Sequence, residues 1–157
     1  MKSSDVFIGR QPIVDRNQRT FGYELLFRSG YVSGADVSDN VQATASVMVN
    51  ALSNIGIKRL IGEKKGFINI DEGILRSGII ELLPKENTVF EILETVEITD
   101  DVISECRRLR TEGYHFALDD FVYRESAAPM FDIVEYVKVD LPQTTPESLE
   151  ATRRALV

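Results

Sequence analysis

Residues 88–120, TVFEILETVEITDDVISECRRLRTEGYHFALDD, read as one complete strand–helix–strand unit. Thr88 to Leu93 is a short apolar, partly β-branched run, the mark of a buried strand. Asp100 to Glu112 carries apolar residues at helical spacing, with Thr99 or Asp100 as N-cap and Gly113 as the stop. Phe116 to Asp119 is the next strand. Upstream, Phe67-Ile68-Asn69-Ile70 is a strand followed by a helix from Glu72 to Leu82. Downstream, a short, loose helix over Glu125 to Asp132 leads to a strand from Tyr136 to Leu141. A helix over Pro146 to Leu156 follows, with proline in its first turn. Strands alternating with helices across short loops imply a parallel sheet with right-handed crossovers. An open doubly wound sheet and a (β/α) barrel both satisfy that pattern.

Nearer the N-terminus, Phe7 to Val14 and Phe21 to Phe27 flank the turn-rich Asp15-Arg16-Asn17-Gln18 and read as a β-hairpin. Gly30 to Asp39 is a polar loop. Val41 to Ile55 has helical spacing, with Ser38 or Asp39 as cap and Gly56 at its end. A complete barrel takes about 250 residues, and the chain has 157 and stops straight after a helix. The expectation for residues 1–157 is therefore the N-terminal portion of one domain.

Composition narrows the function. Hydrophobic residues make up 43% and charged residues 27%, enough apolar material for a core. The net charge of -7 sets long-range repulsion against duplex nucleic acid and anionic membranes. A small anionic ligand needs a cation or a local arginine to offset that field. The single cysteine, Cys106, has no internal disulfide partner. A reducing, cytoplasmic setting is expected. The start, MKSSDVFIGR, lacks a signal-peptide apolar run, and no stretch is apolar enough to span a bilayer.

The strands read as apolar runs with polar exceptions that share one location. Glu24, Asn69, Glu91, Asp119 with Asp120, and Lys138 with Asp140 fall at or near strand C-terminal ends. In (β/α) folds that is where active sites form. Alternation puts Lys138 and Asp140 on one face. Carboxylates and an amide oxygen are hard ligands that suit Mg²⁺ or Mn²⁺ rather than zinc. Two such ions about 3.5–4 Å apart would clamp the attacking and leaving oxygens of a phosphodiester. One carboxylate at a strand end is commonly a cap or a solvated loop residue; the recurrence on successive strands marks a site. His115, the only histidine, shares a face with Asp119 and reads as a core or rim residue.

Six runs, in order, carry a resemblance. They are Gln11-Pro12-Ile13, Tyr23-Glu24-Leu25-Leu26-Phe27-Arg28, Phe67-Ile68-Asn69-Ile70, Phe90-Glu91-Ile92-Leu93-Glu94, Leu118-Asp119-Asp120-Phe121 and Val137-Lys138-Val139-Asp140. Together they resemble the motifs of EAL domains, bacterial phosphodiesterases that open cyclic di-GMP to linear pGpG. The nearest likeness is to the EAL half of EAL–HDOD signalling proteins, in which the barrel precedes a helical HDOD domain. The resemblance implies an α/β fold of the TIM-type (β/α) barrel kind, with an N-terminal hairpin and an incomplete C-terminal side. It implies metal ligands at Glu24, Asn69, Glu91, Asp119 and Asp120, and catalytic roles for Glu24 and for Lys138, which would help hold the water. Gln11, Arg28 and Asp140 fall to the ligand-binding rim, with Arg28 on a phosphate.

Two departures bear on activity. Leu25 replaces the signature's middle alanine, a bulkier group expected beside a metal ligand. Val122-Tyr123-Arg124-Glu125 replaces a glycine-rich loop whose backbone shapes these residues resist. The later strands would lie beyond Val157. The expectation is a catalytically impaired module of cyclic di-GMP signalling that acts by binding nucleotide or protein, its Mg²⁺ or Mn²⁺ weakly held or lost. The alternatives are an active phosphodiesterase when the full domain is present, and an interaction scaffold without nucleotide. An unpaired edge at Tyr136 to Leu141 would favour a homodimer.

Overall fold

The structure, a computed structural model, describes residues 6–29, 48–49 and 56–156. Six strands form one sheet: β1 (Val6–Val14), β2 (Thr20–Ser29), β3 (Lys65–Ile70), β4 (Thr88–Ile92), β5 (His115–Leu118) and β6 (Tyr136–Val137). β1 and β2 are the expected hairpin, antiparallel, with Gln11 opposite Glu24. Asp15 builds the turn, its Oδ1 accepting from the backbone N–H of Asn17 (2.8 Å) and Arg19 (3.0 Å).

From β2 to β6 every pairing is parallel, and the strands lie in sequence order. A doubly wound sheet reverses its order at a switch point; none occurs here. The sheet is also strongly curled. Phe21 of β2 and Tyr136 of β6 have ring centroids 5.7 Å apart, and both rings meet Phe67 of β3. Four strand spacings of about 4.8 Å would hold β2 and β6 about 19 Å apart in a flat sheet. The α/β class therefore stands, as a curled wall that does not close among the described residues.

The curl separates two cores. On the outer face Ile68, Ile70, Phe90, Ile92, Phe116 and Leu118 belong to the main cluster, which includes residues of α1 (Ile57–Ile61), α2 (Glu72–Arg76) and α3 (Asp100–Thr111). α3 buries Val102, Ile103, Cys106 and Leu109, one stripe at helical spacing. Its N-cap is Thr99, whose Oγ1 accepts from Val102 N, and Gly113 at φ 95° lets the chain turn out of it. On the inner face Phe67, Val89 and Ala117 form a smaller cluster with Ile13 and Tyr136. Gly22 lets β2 settle there: a Cβ would stand 2.8 Å from Lys65 O and 2.9 Å from the Phe67 ring.

Several boundaries differ from the sequence reading. The helix expected over Glu72 to Leu82 stops at Arg76, because Gly78 takes φ 74° and a separate 3-10 turn covers Ile79–Leu82. Gly56 stands directly before α1, a helix without a strong sequence signal. The helix expected over Val41 to Ile55 lies outside the described residues except at Met48 and Val49, which are helical. Glu125–Met130 is 3-10, with Pro129 inside it. β5 begins one residue earlier, at His115. β6 is two residues long instead of six, because the chain turns at Asp140 into a 3-10 turn over Leu141–Gln143 that contains Pro142. The last helix, α4 (Pro146–Ala155), is capped by Thr145. Among the described residues no helix is long and apolar enough to cross a membrane.

Candidate active site at the strand ends

Strand alternation stacks a polar layer on the inner apolar one. Asn69 follows Phe67 by two residues, Glu91 follows Val89, Asp119 follows Ala117 and Lys138 follows Tyr136. Glu24 follows Gly22 in the same way. Five strands thus aim one polar side chain each at a common point above the Phe67–Val89–Ala117 floor.

Lys138 Nζ lies at that point. It is 2.7 Å from Asp119 Oδ1, 3.0 Å from Glu91 Oε1 and 3.4 Å from Glu24 Oε2. Asn69 Nδ2 donates to Glu24 Oε1 at 2.9 Å. Glu91 is fully buried, and burial pushes its carboxyl up to about 7 despite the adjacent lysine. Burial works against the Lys138 charge, yet the hydrogen bond to Asp119 and the charge of Glu91 outweigh it, so the ammonium is held protonated. Glu91 Oε2 and Asn69 Oδ1 are buried acceptors that meet no donor among the described residues. A donor-poor group of hard oxygens fits a divalent cation. Glu24, Asn69, Glu91 and Asp119 are the residues that could hold one.

A second acidic group shares Asp119. One carboxylate oxygen each from Glu94, Asp119 and Asp120 lie within 4.8 Å of one another. Asp120 sits at φ 40°, a left-handed conformation that costs a non-glycine residue strain. Burial, then the charges of Asp119 and Asp140, raise its carboxyl above the ordinary value. Glu94 was not singled out in the sequence, since it lies past the end of β4 and alternation says nothing about it. The turn in which Val96 N–H donates to Leu93 O carries it to the site. Beside this group lies a cavity of about 390 Å³ whose lining includes Glu94, Asp120, Arg124 and Asp140.

The remaining expectations resolve differently. Asp140 does not share the lysine's surroundings: β6 has already ended, and its carboxylate accepts from Gln143 Nε2 beside the cavity. Gln11 is exposed on β1, opposite Glu24. Arg28 pairs with Phe7 through the backbone; its side chain lies outside the described residues. Leu25 is not beside the acidic layer. It points to the outer face, 1% exposed, within the main core, on the side of β2 opposite Glu24. The loop Val122 to Glu125 needs no glycine either, for none of its residues has a positive φ. Tyr123 stacks on Phe131 at 6.4 Å, Phe121 meets the same ring edge-on at 5.6 Å, and Arg124 donates to Val96 O. His115 lies at the opposite end of β5, its Nδ1 2.6 Å from Glu135 Oε1.

No family model matches the sequence. Two curated relatives do. The uncharacterized protein YuxH of Bacillus subtilis is 34% identical over 145 residues, covering 89% of this chain and 36% of its own length. The cyclic di-GMP phosphodiesterase CdgJ of Vibrio cholerae is 36% identical over 136 residues, covering 86% of this chain and 32% of its own length. The chain thus spans about a third of those relatives. Among solved structures, the Bacillus subtilis YkuI protein, with an EAL domain in complex with c-di-GMP and calcium, superposes with a TM-score of 0.74 at 18% identity. The match covers 98% of this chain and 47% of that one. The PaMucR phosphodiesterase in complex with c-di-GMP gives a TM-score of 0.67 at 16% identity, over 96% of this chain and 81% of that one. At such identities the superpositions speak for the fold.

Proposed function

We propose that this chain, which belongs to the EAL-domain family, serves in cyclic di-GMP signalling by binding the nucleotide through a cation held in its acidic layer, with hydrolysis impaired in this form. The observation that carries the reading is the convergence of Glu24, Asn69, Glu91, Asp119 and Lys138, from five strands, on one point of the curled inner face. Glu24, Asn69, Glu91 and Asp119 would hold one Mg²⁺ or Mn²⁺, and Asp119 and Asp120, joined by Glu94, a second. Once bound, such ions neutralise a phosphodiester and lower the pKa of a coordinated water. The chain's own contribution is placement. Asn69 orients Glu24, the buried floor keeps the layer dry, and the Lys138 ammonium offers donors to a water or phosphate oxygen. Arg28 and Gln11 would meet the nucleotide from the hairpin, and Asp140 from the cavity beside Asp120.

In the closed TIM-type barrel that this wall would form part of, further strands complete the shell around the ions. An HDOD domain or another protein partner, a homodimer and a cytoplasmic setting belong to the same reading. A second reading, an active phosphodiesterase, is favoured by the relative CdgJ, which carries that activity in its name.

Calorimetry with cyclic di-GMP, with and without Mn²⁺, tests the proposal alongside chromatography for pGpG. Cation-dependent binding that Glu24→Ala abolishes, without pGpG, is the expected result. Turnover that disappears in Glu24→Ala would establish the second reading. Absence of nucleotide binding under all conditions would leave an interaction scaffold.

A further inference from the structure

The position of Lys138 carries a consequence for how a cation enters the layer. Its ammonium is not at the rim. It stands inside the acidic group, within 3.4 Å of three carboxylates that come from β2, β4 and the end of β5. Those three carboxylates surround one point, and that point is filled by Nζ. A divalent ion coordinated by the same oxygens needs the same space. Two positive charges about 4 Å apart repel strongly even at the effective dielectric of a protein surface, so the two cannot share the position.

We propose that Lys138 is a resident counter-cation: it holds the acidic layer together when no metal is present and must swing aside for a divalent cation to bind. The geometry offers a way out. The lysine side chain is 32% exposed, whereas Glu91 is completely buried, so the ammonium can move toward solvent while the carboxylates stay. Its backbone is held in place, the N–H donating to Leu118 O at 2.9 Å and the carbonyl accepting from Phe121 N–H at 2.8 Å, so the movement is one of the side chain alone. Without some cation the layer would bury Glu91 beside Asp119 and Glu24 with nothing to balance them. The lysine thus makes the metal-free fold viable and weakens metal affinity for the same reason.

The inference rests on the acidic layer being a cation site, and the test separates the two claims. Wild type and Lys138→Met are titrated with Mn²⁺ by calorimetry, and their thermal midpoints are read in chelator and in saturating Mn²⁺. In Lys138→Met, Mn²⁺ should bind about tenfold tighter or more, since the repulsion removed exceeds the free energy of one decade in affinity. The midpoint should fall in chelator, and the deficit should shrink or vanish in saturating Mn²⁺. A variant folded only in the presence of Mn²⁺ supports the proposal in its strongest form. If Lys138→Met does not fold even with Mn²⁺, the double variant Glu91→Gln/Lys138→Met, which removes one charge of each sign, decides. Folding of the double variant in chelator supports a charge-balancing lysine, and failure to fold overturns it in favour of a packing role. Equal or weaker Mn²⁺ affinity in a folded Lys138→Met, with the same thermal loss in both conditions, also overturns it and leaves the cation site standing. Silence of both proteins toward Mn²⁺ refutes the cation site itself.

Discussion

At the scale of single residues, Glu91 shows what the acidic layer demands of the fold. Its carboxyl lies at about 7 in place of the ordinary 4.5, chiefly through burial. A folded-state value above the unfolded one means that the protonated form suits the fold. The associated stability is complete below about pH 4.5 and is lost as pH rises through 7. Glu91→Gln keeps the shape and never ionises. Without divalent cation it should be the more stable protein at pH 8, by up to about 3 kcal/mol, since each tenfold change in proton affinity is worth about 1.4 kcal/mol. Near pH 4 it should match wild type. Urea denaturation in chelator at the two pH values measures the difference; an equal gap at both would show that the carboxylate is not destabilised by burial. Glu91 was legible in the sequence because a lone acid near the end of an apolar strand is conspicuous. The face of Leu25 was misjudged from the motif comparison, although alternation alone sets it opposite Glu24. Glu94 was not, because no periodicity governs a residue in a turn.

At the scale of elements, helical and strand periodicity located the βα units, while local backbone chemistry set their ends. Gly78, Gly56 and the Asp140–Pro142 turn cut or begin elements where apolar spacing continues undisturbed. A second tie joins elements at the opposite end of the sheet. Glu135, just before β6, meets His115 of β5 and Arg110 of α3 at 2.6 and 2.8 Å. Burial raises its carboxyl, but the hydrogen bond with His115 and the charges of Arg110 and Lys65 prevail, leaving it below the ordinary value. A depressed carboxyl adds stability above the usual carboxylate range, and that stability is lost as pH falls through its own lower value. Glu135→Gln should therefore be less stable than wild type at neutral pH and converge with it in acid. Denaturation midpoints over about pH 3 to 7 read this directly, and parallel curves would rule the tie out. The loop after β5 is expected to depend on its aromatic support. Tyr123→Ala removes the ring stacked on Phe131 and should cost about 1 kcal/mol, with faster amide exchange confined to residues 121–125 as its signature.

At the scale of the molecule, curvature is the property that no single stretch of sequence displays. Apolar strands alternating with helices permit an open sheet or a barrel wall, and the choice depends on which inner residues meet across the concavity. Phe21, Phe67 and Tyr136 make that contact, and Lys138 lies two residues beyond Tyr136 on the same face. The aromatic floor and the acidic layer should therefore respond together. Tyr136→Ala loses two edge-on ring contacts and is expected to cost about 2–3 kcal/mol. Because it also loosens the approach of β6 to β2, it should change Mn²⁺ affinity as well. Leu109→Ala, on the buried face of α3 in the outer-face core, should cost about 2–5 kcal/mol but leave the carboxylates where they are. Comparing the two variants by urea denaturation and Mn²⁺ calorimetry separates curvature from stability. If both lose affinity in proportion to lost stability, the site needs only a folded chain; if Tyr136→Ala alone loses it, the inner aromatic floor sets the geometry at which the acidic layer works.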